Sequence, residues 1–325
     1  MSALVAIVRL GRFVALPRVR VQGLGRQIGI PMVAILAFLF AWSRVSAGVQ
    51  TTLGQIPGPA AVWQQAGVLW ADHVAERGRA SAFYERQEKR NAAMLAANPS
   101  ARIATVAYTG KPTYVDQIVT SLETVFAGFL LASVLAVPLG IVCGLSATLN
   151  AGINPFIQIF RPVSPLAWLP IVTMVVSAVY VSPDPAFQKS FINSAITVAL
   201  CSLWPTLINT THGVSSIDKE LMNVAKVLRL SWTTTLVKVV VPASLPLIFT
   251  GLRLSLGVGW MVLIAAEMLA QNPGLGKFVW DEFQNGSSDS LARIMVAVFT
   301  IGIIGFLLDR VMLVVHRLVD FGSQR

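Results

Sequence analysis

Polar side chains set in long apolar runs are the residues of this sequence best placed to do chemistry. Hydroxyl, amide and indole groups can hydrogen-bond a solute without a strong charge, and polar groups in an apolar run tend to face a cavity or a partner. The candidates are Ser164, Trp168, Trp204, Asn209, Ser255 and Trp260, together with the cation Arg253. The alternative interpretation is structural, because tryptophan often packs against lipid and serine often bonds its own helix backbone.

Catalytic and metal-binding patterns are missing from the sequence. The histidines His73, His212 and His316 lack the spacing of metal ligands, and there is no nucleophile elbow. A phosphate-binding loop needs Gly-x-x-x-x-Gly-Lys-Ser/Thr, but neither Gly-Lys pair of the sequence fits, because Gly110-Lys111 is followed by proline and Gly276-Lys277 by phenylalanine. The sequence therefore favours a protein that is not an enzyme and binds no cofactor itself. A membrane-embedded enzyme is the less favoured class.

The composition requires a membrane. Hydrophobic residues make up 55% of the chain and charged residues 12%, and the mean hydropathy is +0.69. These values do not fit a water-soluble surface. The formal charge of +10 does not indicate a nucleic-acid partner, because surplus Lys and Arg in a membrane protein first set its orientation. We predict an all-α polytopic protein surrounded by lipid.

Six stretches are long and apolar enough to cross a bilayer, which takes about 20 residues. They are residues 28–47, 118–145, 156–181, 191–211, 245–270 and 291–315. The chain is thereby divided into a basic tail (1–27), a first span (28–47), an external segment (48–117) and a core of five spans (118–317). Cleavage of a signal peptide after Val45-Ser46-Ala47 is less favoured, because the first apolar run is too long. Gly140-x-x-x-Gly144 is a weak signal for close helix packing.

The basic residues place both termini in the cytoplasm. Five arginines precede the first span, and basic residues are frequent in 211–245, whereas acidic residues are frequent in 271–290. Long loops cross the membrane largely regardless of charge, so 48–117 does not change this assignment. Within that segment, residues 60–75 predict a helix at the outer interface anchored by Trp63 and Trp70. Residues 72–97 then continue as a polar insertion, either a solvated surface or a docking surface.

The segment 215–242, between the fourth and fifth spans, is the most informative about function. Ser215 and Asp218 fit a capping box at the start of a helix. One apolar face of that helix consists of Leu221, Val224, Ala225 and Leu228. Its apolar face needs either the ends of its own spans or a partner to bury it.

A turn and a second short helix complete this segment. The turn lies at Arg229-Leu230, and Ser231 can cap the second helix, which Pro242 interrupts. The pattern therefore predicts a helix-turn-helix outside the membrane.

This segment resembles the EAA loop of ABC-transporter permeases, which has Glu-Ala-Ala, then Gly after three residues, then Ile-x-Leu-Pro after nine more. The matching positions are Asn223-Val224-Ala225, Arg229 and Val239-Val240-Val241-Pro242, with both spacings intact. Asn223 replaces the glutamate and Arg229 the glycine. Because arginine takes a positive backbone φ less readily than glycine, we expect a turn that is shaped differently or less tight. The run Asn223–Ser231 is itself similar to nitrate-type permeases.

The resemblance extends from Thr120 to the end of the chain. Further similar stretches are residues 161–171, 202–210, 249–253, 265–269 and 305–310. The resemblance implies a type I ABC importer permease with about six spans, in the group that carries nitrate, bicarbonate, cyanate, and sulfonate or taurine. Two sets of charged residues are interpreted as structural and not as part of the solute pathway. Glu267 would form a structural hydrogen bond, and Asp309-Arg310 would form an ion pair.

The resemblance also implies the partners. ATP and Mg would be used by two separate ATPase subunits, and a second permease chain and a periplasmic solute-binding protein would complete the importer. The coupling contacts would be Asn223, Ala225, Lys226, Arg229, Leu230 and Pro242. The transported solute would be a small inorganic anion, nitrate or nitrite first, entering through the bacterial inner membrane by alternating access. Weak donors suit such an anion, because strong cations would trap it. A secondary transporter would give the cytoplasmic hairpin no purpose.

Overall fold

The chain is helical almost throughout in a computed structural model that describes residues 21–51, 54–98, 103, 105–181, 186–287 and 289–323. One compact unit ends at Val62. It contains helix α1 (Val21–Gly48) and an antiparallel hairpin of β1 (Gln50–Thr51) and β2 (Gly54–Gln55). Most of the predicted basic tail, up to Arg20, lies outside the described residues.

The second unit begins at Trp63 and holds a bundle of helices. Helix α2 (Pro59–Ala97) leads into it. The helices that follow are α3 (Tyr114–Leu145), α4 (Ala147–Phe160), α5 (Pro165–Val179), α6 (Lys189–Ser215), α7 (Lys219–Val227), α8 (Trp232–Thr235), α9 (Val241–Ala270), α10 (Leu275–Asn285) and α11 (Ser290–Ser323). The π-helical turn Leu236–Val240 joins α8 to α9.

Helix α6 forms the centre of the bundle, because it packs against both α3 and α9. Glycines let α3 approach it closely. A Cβ added at Gly128, Gly140 or Gly144 would lie 2.6, 2.6 or 2.5 Å from an atom of α6. The close packing predicted from Gly140-x-x-x-Gly144 is therefore confirmed. The main core combines residues of α3, α6, α9 and α10: Val125, Phe129, Val198, Leu256, Trp260, Val262, Leu263 and Leu275.

Among the described residues, five helical stretches are long and apolar enough to span a membrane. They are Gly29–Gly48, Tyr114–Leu145, Lys189–Ser215, Trp232–Ala270 and Ser290–Leu318. Large apolar side chains on them are exposed, as with Phe40, Val134 and Met261, which are 69%, 68% and 70% exposed. Such surfaces suit lipid rather than water. The predicted all-α polytopic fold is confirmed.

The third predicted span, 156–181, is wrong as a continuous helix. Helix α4 ends at Phe160 and α5 begins at Pro165, and the two axes differ by 103°. Pro162 has no N–H with which to continue α4, and Pro165 disfavours helical backbone in the residue before it, Ser164, which is extended. Ser164 then caps α5, its hydroxyl accepting from Leu166 N at 3.3 Å. The sixth span exists only if this bent pair crosses as one.

The polar insertion is ordered along one long helix. The predicted helical stretches 60–75 and 72–97 are joined in α2, which ends at Ala97, just before Asn98 as predicted. Residues 105–113 return along α2. The side chain of Gln87 donates to Val106 O at 3.0 Å and accepts from Val106 N at 2.8 Å. Tyr108 Oη donates to Glu76 at 2.7 Å, and this bond keeps the pKa of Glu76 below its usual value. The insertion therefore has its own hydrogen-bonded structure.

Candidate coupling segment and solute pathway

The candidate coupling segment, predicted over residues 215–242, begins at Asp218 in the structure. Helix α6 continues through Ser215, whose hydroxyl donates to His212 O at 3.1 Å. Asp218 is the N-cap of α7, because its carboxylate accepts from Glu220 N at 2.9 Å. The predicted capping box of Ser215 and Asp218 is therefore wrong. The reason is that α6 extends about one turn beyond the end predicted from its apolar pattern.

Arg229 takes the left-handed conformation that the family pattern reserves for glycine. Its φ is +50°. Leu230 N donates to Ala225 O at 3.1 Å and Arg229 N donates to Lys226 O at 3.0 Å. These two bonds form the Schellman arrangement that closes a helix end. The expected looser turn is therefore wrong, because the two backbone bonds hold arginine in a glycine conformation.

Replacing Arg229 with glycine is expected to stabilise the permease. An L-residue in the left-handed region costs about 1 kcal/mol relative to glycine, which has no Cβ. Arg229→Gly should therefore raise the melting temperature slightly, as measured by thermal unfolding in detergent. Arg229→Ala is the control, because it removes the guanidinium and keeps the strained backbone. If the alanine variant gained as much stability as the glycine variant, backbone strain would not be the cause.

The second helix of the segment does not end at Pro242. Ser231 caps α8 as predicted, accepting from Thr234 N at 3.2 Å. The chain then passes through the π-helical turn, in which Val241 N donates to Leu236 O. Pro242 explains this turn, because it has no N–H to donate and its ring would meet the carbonyl of Lys238. The helix therefore widens by one residue and continues into the fifth span.

Apolar side chains on α7 remain uncovered within the described chain. Ala225 is buried, at 3% exposure, but Val224 and Leu228 on the predicted apolar face are 53% and 64% exposed. Val227 is 81% exposed. Of the other predicted coupling residues, Asn223, Lys226 and Arg229 are exposed, whereas Leu230 and Pro242 are half-buried. Folding back on the spans thus covers only a small part of this helix.

Four of the predicted pathway residues already use their donors inside the protein. Ser255 donates to the carbonyl of Ser202, and its hydroxyl lies 2.7 Å from Thr206 Oγ1. Trp260 Nε1 donates to Ile301 O at 3.0 Å, and Asn209 Nδ2 to Pro205 O at 2.8 Å. Arg253 pairs in bidentate fashion with Asp309, at 2.6 and 2.9 Å. Ser255, Trp260 and Arg253 thereby join helices to one another, whereas Asn209 bonds its own helix.

The ion pair expected between Asp309 and Arg310 is wrong. Arg253 of α9 takes the Asp309 carboxylate, and Arg310 lies over the ring of Phe306 at 4.8 Å instead. Neighbours in sequence on a helix point in directions about 100° apart, so they rarely pair with each other. The observed pair joins α9 to α11.

Trp168 and Trp204 are different, because their indole N–H groups are buried and have no acceptor in the described chain. They flank Phe160, with ring centroids 5.7 and 6.3 Å from it. This aromatic cluster of Phe160, Trp168 and Trp204 lies where the break between α4 and α5 meets α6. Phe160 was missed from the sequence. The two prolines that follow it were the available signal, because they mark the break that turns it towards Trp168.

A buried carboxyl group, that of Glu267, lies near the C-terminal end of α9. Glu267 accepts from Ser121 Oγ at 2.9 Å and from Gly276 N at 2.9 Å, and so joins α3, α9 and α10. Asn272 donates to Thr124 at 3.1 Å beside it. The structural interpretation of Glu267 agrees with these bonds. Ser121 and Asn272 were not identified from the sequence, since their partners are distant along the chain.

Comparisons with known proteins agree with this arrangement. Residues 136–322 match the family model described as the binding-protein-dependent transport system inner membrane component. The chain is 37% identical over 204 residues to the nitrate import permease protein NrtB of Synechococcus elongatus, covering 63% of this chain and 69% of that protein. It is 40% identical over 195 residues to the bicarbonate transport system permease protein CmpB of the same organism, covering 60% and 65%.

A solved structure shares the fold. The inward-facing MetNI methionine ABC transporter superposes with a TM-score of 0.54 at 14% identity, covering 63% of this chain and 95% of that one. At this identity the likeness concerns the fold alone. It confirms the predicted type I importer permease architecture.

Proposed function

Since the chain belongs to the family of binding-protein-dependent inner membrane components, the permease subunits of ABC importers, we propose that it carries a small inorganic anion inward. Nitrate is the first candidate, with nitrite next. The family also makes it a multi-pass inner membrane protein with ATPase and solute-binding partners. Which anion it carries, and how the partners are arranged, belong to the proposal.

The observation that carries the proposal is the coupling segment. Helix α7 offers exposed Val224, Val227 and Leu228 beside a tightly closed turn at Arg229. Apolar side chains presented on a rigid helix suit a groove in a partner protein. Because α8 runs into α9 without a loop, displacing this segment moves the fifth span directly. ATP and Mg would bind only to two ATPase subunits, one for each copy of a permease homodimer.

The neutral aromatic cluster supports an anion as the solute. The free indole donors of Trp168 and Trp204 can bond an oxyanion weakly. The cation Arg253 is held by Asp309 and is not available to trap the solute. In this proposal the coupling segment and both termini are cytoplasmic, and the insertion from Asp72 to Lys111 faces the periplasm.

Bicarbonate is the second candidate. The identity of this chain to CmpB, 40%, is as high as its identity to NrtB. Both anions are planar, singly charged and rich in acceptors, so the same neutral donors serve either. Cyanate, sulfonate and taurine remain further members of the same group.

Uptake by the complete importer tests the substrate. The permease, its ATPases and its solute-binding protein are reconstituted in proteoliposomes, and ATP-driven uptake of nitrate, nitrite, bicarbonate and an alkanesulfonate is compared. We expect nitrate to be taken up at the lowest external concentration. If the importer accumulated an alkanesulfonate and ignored nitrate, the anion assignment would be wrong.

A further inference from the structure

A polar cleft of about 760 Å³ opens beside the coupling segment, where α4 meets the end of α6. Ile157 of α4 packs against Leu207 of α6 at its base. The cleft lies at the same end of α6 as α7, since Ser215, the last residue of α6, lines it. The coupling helix begins four residues after Ser215.

One wall of the cleft is a polar face of α4. Asn150, Asn154, Gln158 and Arg161 line it, and their spacing of four, four and three residues places them along one side of a helix. Arg161 follows the same line, because its backbone stays helical with φ −56° and ψ −43°. Gln158 Nε2 donates to Asn154 Oδ1 at 3.3 Å. The amide groups of Asn150 and Asn154 and the guanidinium of Arg161 donate no side-chain hydrogen bond to the described residues.

The opposite wall is the last two turns of α6. Thr211, His212 and Ser215 line it, again on one helical face. Thr211 Oγ1 is buried and has no hydrogen-bond partner in the described chain. A buried hydroxyl without a partner is costly, so this wall holds an unsatisfied polar group.

The charge of the cleft selects the class of ligand. No aspartate or glutamate is present among the described residues that line it, whereas Arg161 and His212 are. Another cleft among the described residues differs from it, because four carboxylates, Asp72, Glu76, Asp281 and Glu282, line that one together with three basic residues. A guanidinium surrounded by neutral amide and hydroxyl groups suits a small anion with several oxygen acceptors.

We propose that this cleft binds the transported oxyanion on the coupling side of the permease, as the last site before release. The inference rests on the proposed function for the identity of the anion. Arg161 supplies a charge-assisted hydrogen bond, and the amides of Asn154 and Gln158 supply neutral ones. A wide and open cleft gives the anion access to water, so binding is weak and release is fast.

Direct binding tests the site without transport. The purified permease–ATPase complex in lipid nanodiscs, without its solute-binding protein, is titrated with nitrate and separately with bicarbonate, using chloride as the competing simple anion. Arg161→Gln should raise the dissociation constant for the oxyanion about tenfold or more, because it removes a charge-assisted hydrogen bond. Arg161→Lys keeps the charge and should lose less. Arg86→Gln, an exposed arginine of α2, is the control and should bind as the wild type does.

The outcomes separate this site from the proposed substrate. Suppose that nitrate is transported, but that the Arg161→Gln variant binds nitrate as well as the wild type does and also binds bicarbonate as well as the wild type does. The cleft is then not an oxyanion site. If the complex transports no nitrate yet binds bicarbonate in an Arg161-dependent way, the cleft stands and the nitrate assignment falls. Native mass spectrometry that shows an anionic phospholipid held through Arg161, with no oxyanion binding, would replace the transported anion with a lipid headgroup and overturn the proposal.

Discussion

Replacing Gly276 with alanine is expected to lower the melting temperature of the permease by about 5 °C or more. An added Cβ would lie 2.2 Å from Ile264 O and 2.8 Å from Glu267 Cβ. The nearer atom belongs to the backbone of α9 and cannot rotate away. The strain of such overpacking costs about 1–3 kcal/mol, and α10 would have to move away from α9.

The movement would also break the hydrogen bonds of Glu267. Gly276 N donates to this buried carboxylate at 2.9 Å, and Ser121 Oγ donates to it as well. A carboxylate that loses a donor inside the protein stays desolvated without compensation, which adds to the cost of the added methyl group. Because Glu267 joins α3, α9 and α10, the damage should extend across that end of the bundle.

A glycine on α9, the helix against which Gly276 packs, provides the control. Nothing lies within 4 Å of a Cβ added at Gly257, which is also helical. Gly257→Ala should therefore leave stability unchanged or raise it slightly, since alanine favours helix over glycine by about 1 kcal/mol. Both variants are compared by thermal unfolding in the same detergent. Equal melting temperatures for the two variants would show that close packing at Gly276 does not hold α10 in place.

Local features of this fold could be predicted from the sequence where the physical signal is local. The apolar runs identify the spans because each needs only its own length and hydropathy. Ser231 was recognised as a cap because its hydroxyl bonds a backbone N–H three residues away. Gly140 and Gly144 indicated close packing because glycine removes a side chain wherever helices meet.

Features that depend on distant partners could not be predicted. The apolar run continues through residues 156–181, so hydropathy alone did not reveal the break at Pro162. That break is set by the geometry of the backbone. The partner of Asp309 is Arg253, fifty-six positions away, and no local pattern connects them. The left-handed Arg229 was unexpected for a related reason. Two backbone bonds to α7 fix its conformation, although its residue type disfavours it.

The aspartate variant of Val224 is expected to reduce ATP-driven uptake at least tenfold while the permease stays folded. Val224 is 53% exposed on α7, so the free chain tolerates a charge there. If the side chain enters an apolar groove of the ATPase, the variant loses about 1.5 kcal/mol or more of burial and places an unpaired carboxylate in the interface. Uptake in proteoliposomes and co-purification of the ATPase subunits measure both consequences.

Val74 provides the control with the same substitution. It is 55% exposed, but it belongs to α2 in the insertion and not to the coupling segment. Val74→Asp should therefore leave uptake and ATPase association unchanged, and neither variant should alter the melting temperature of the isolated permease much. The comparison separates docking from folding, because exposure and substitution are matched and only the location differs. If Val224→Asp retained full uptake and full ATPase association, α7 would not be the docking helix, and the exposed apolar side chains of α7 would need another partner.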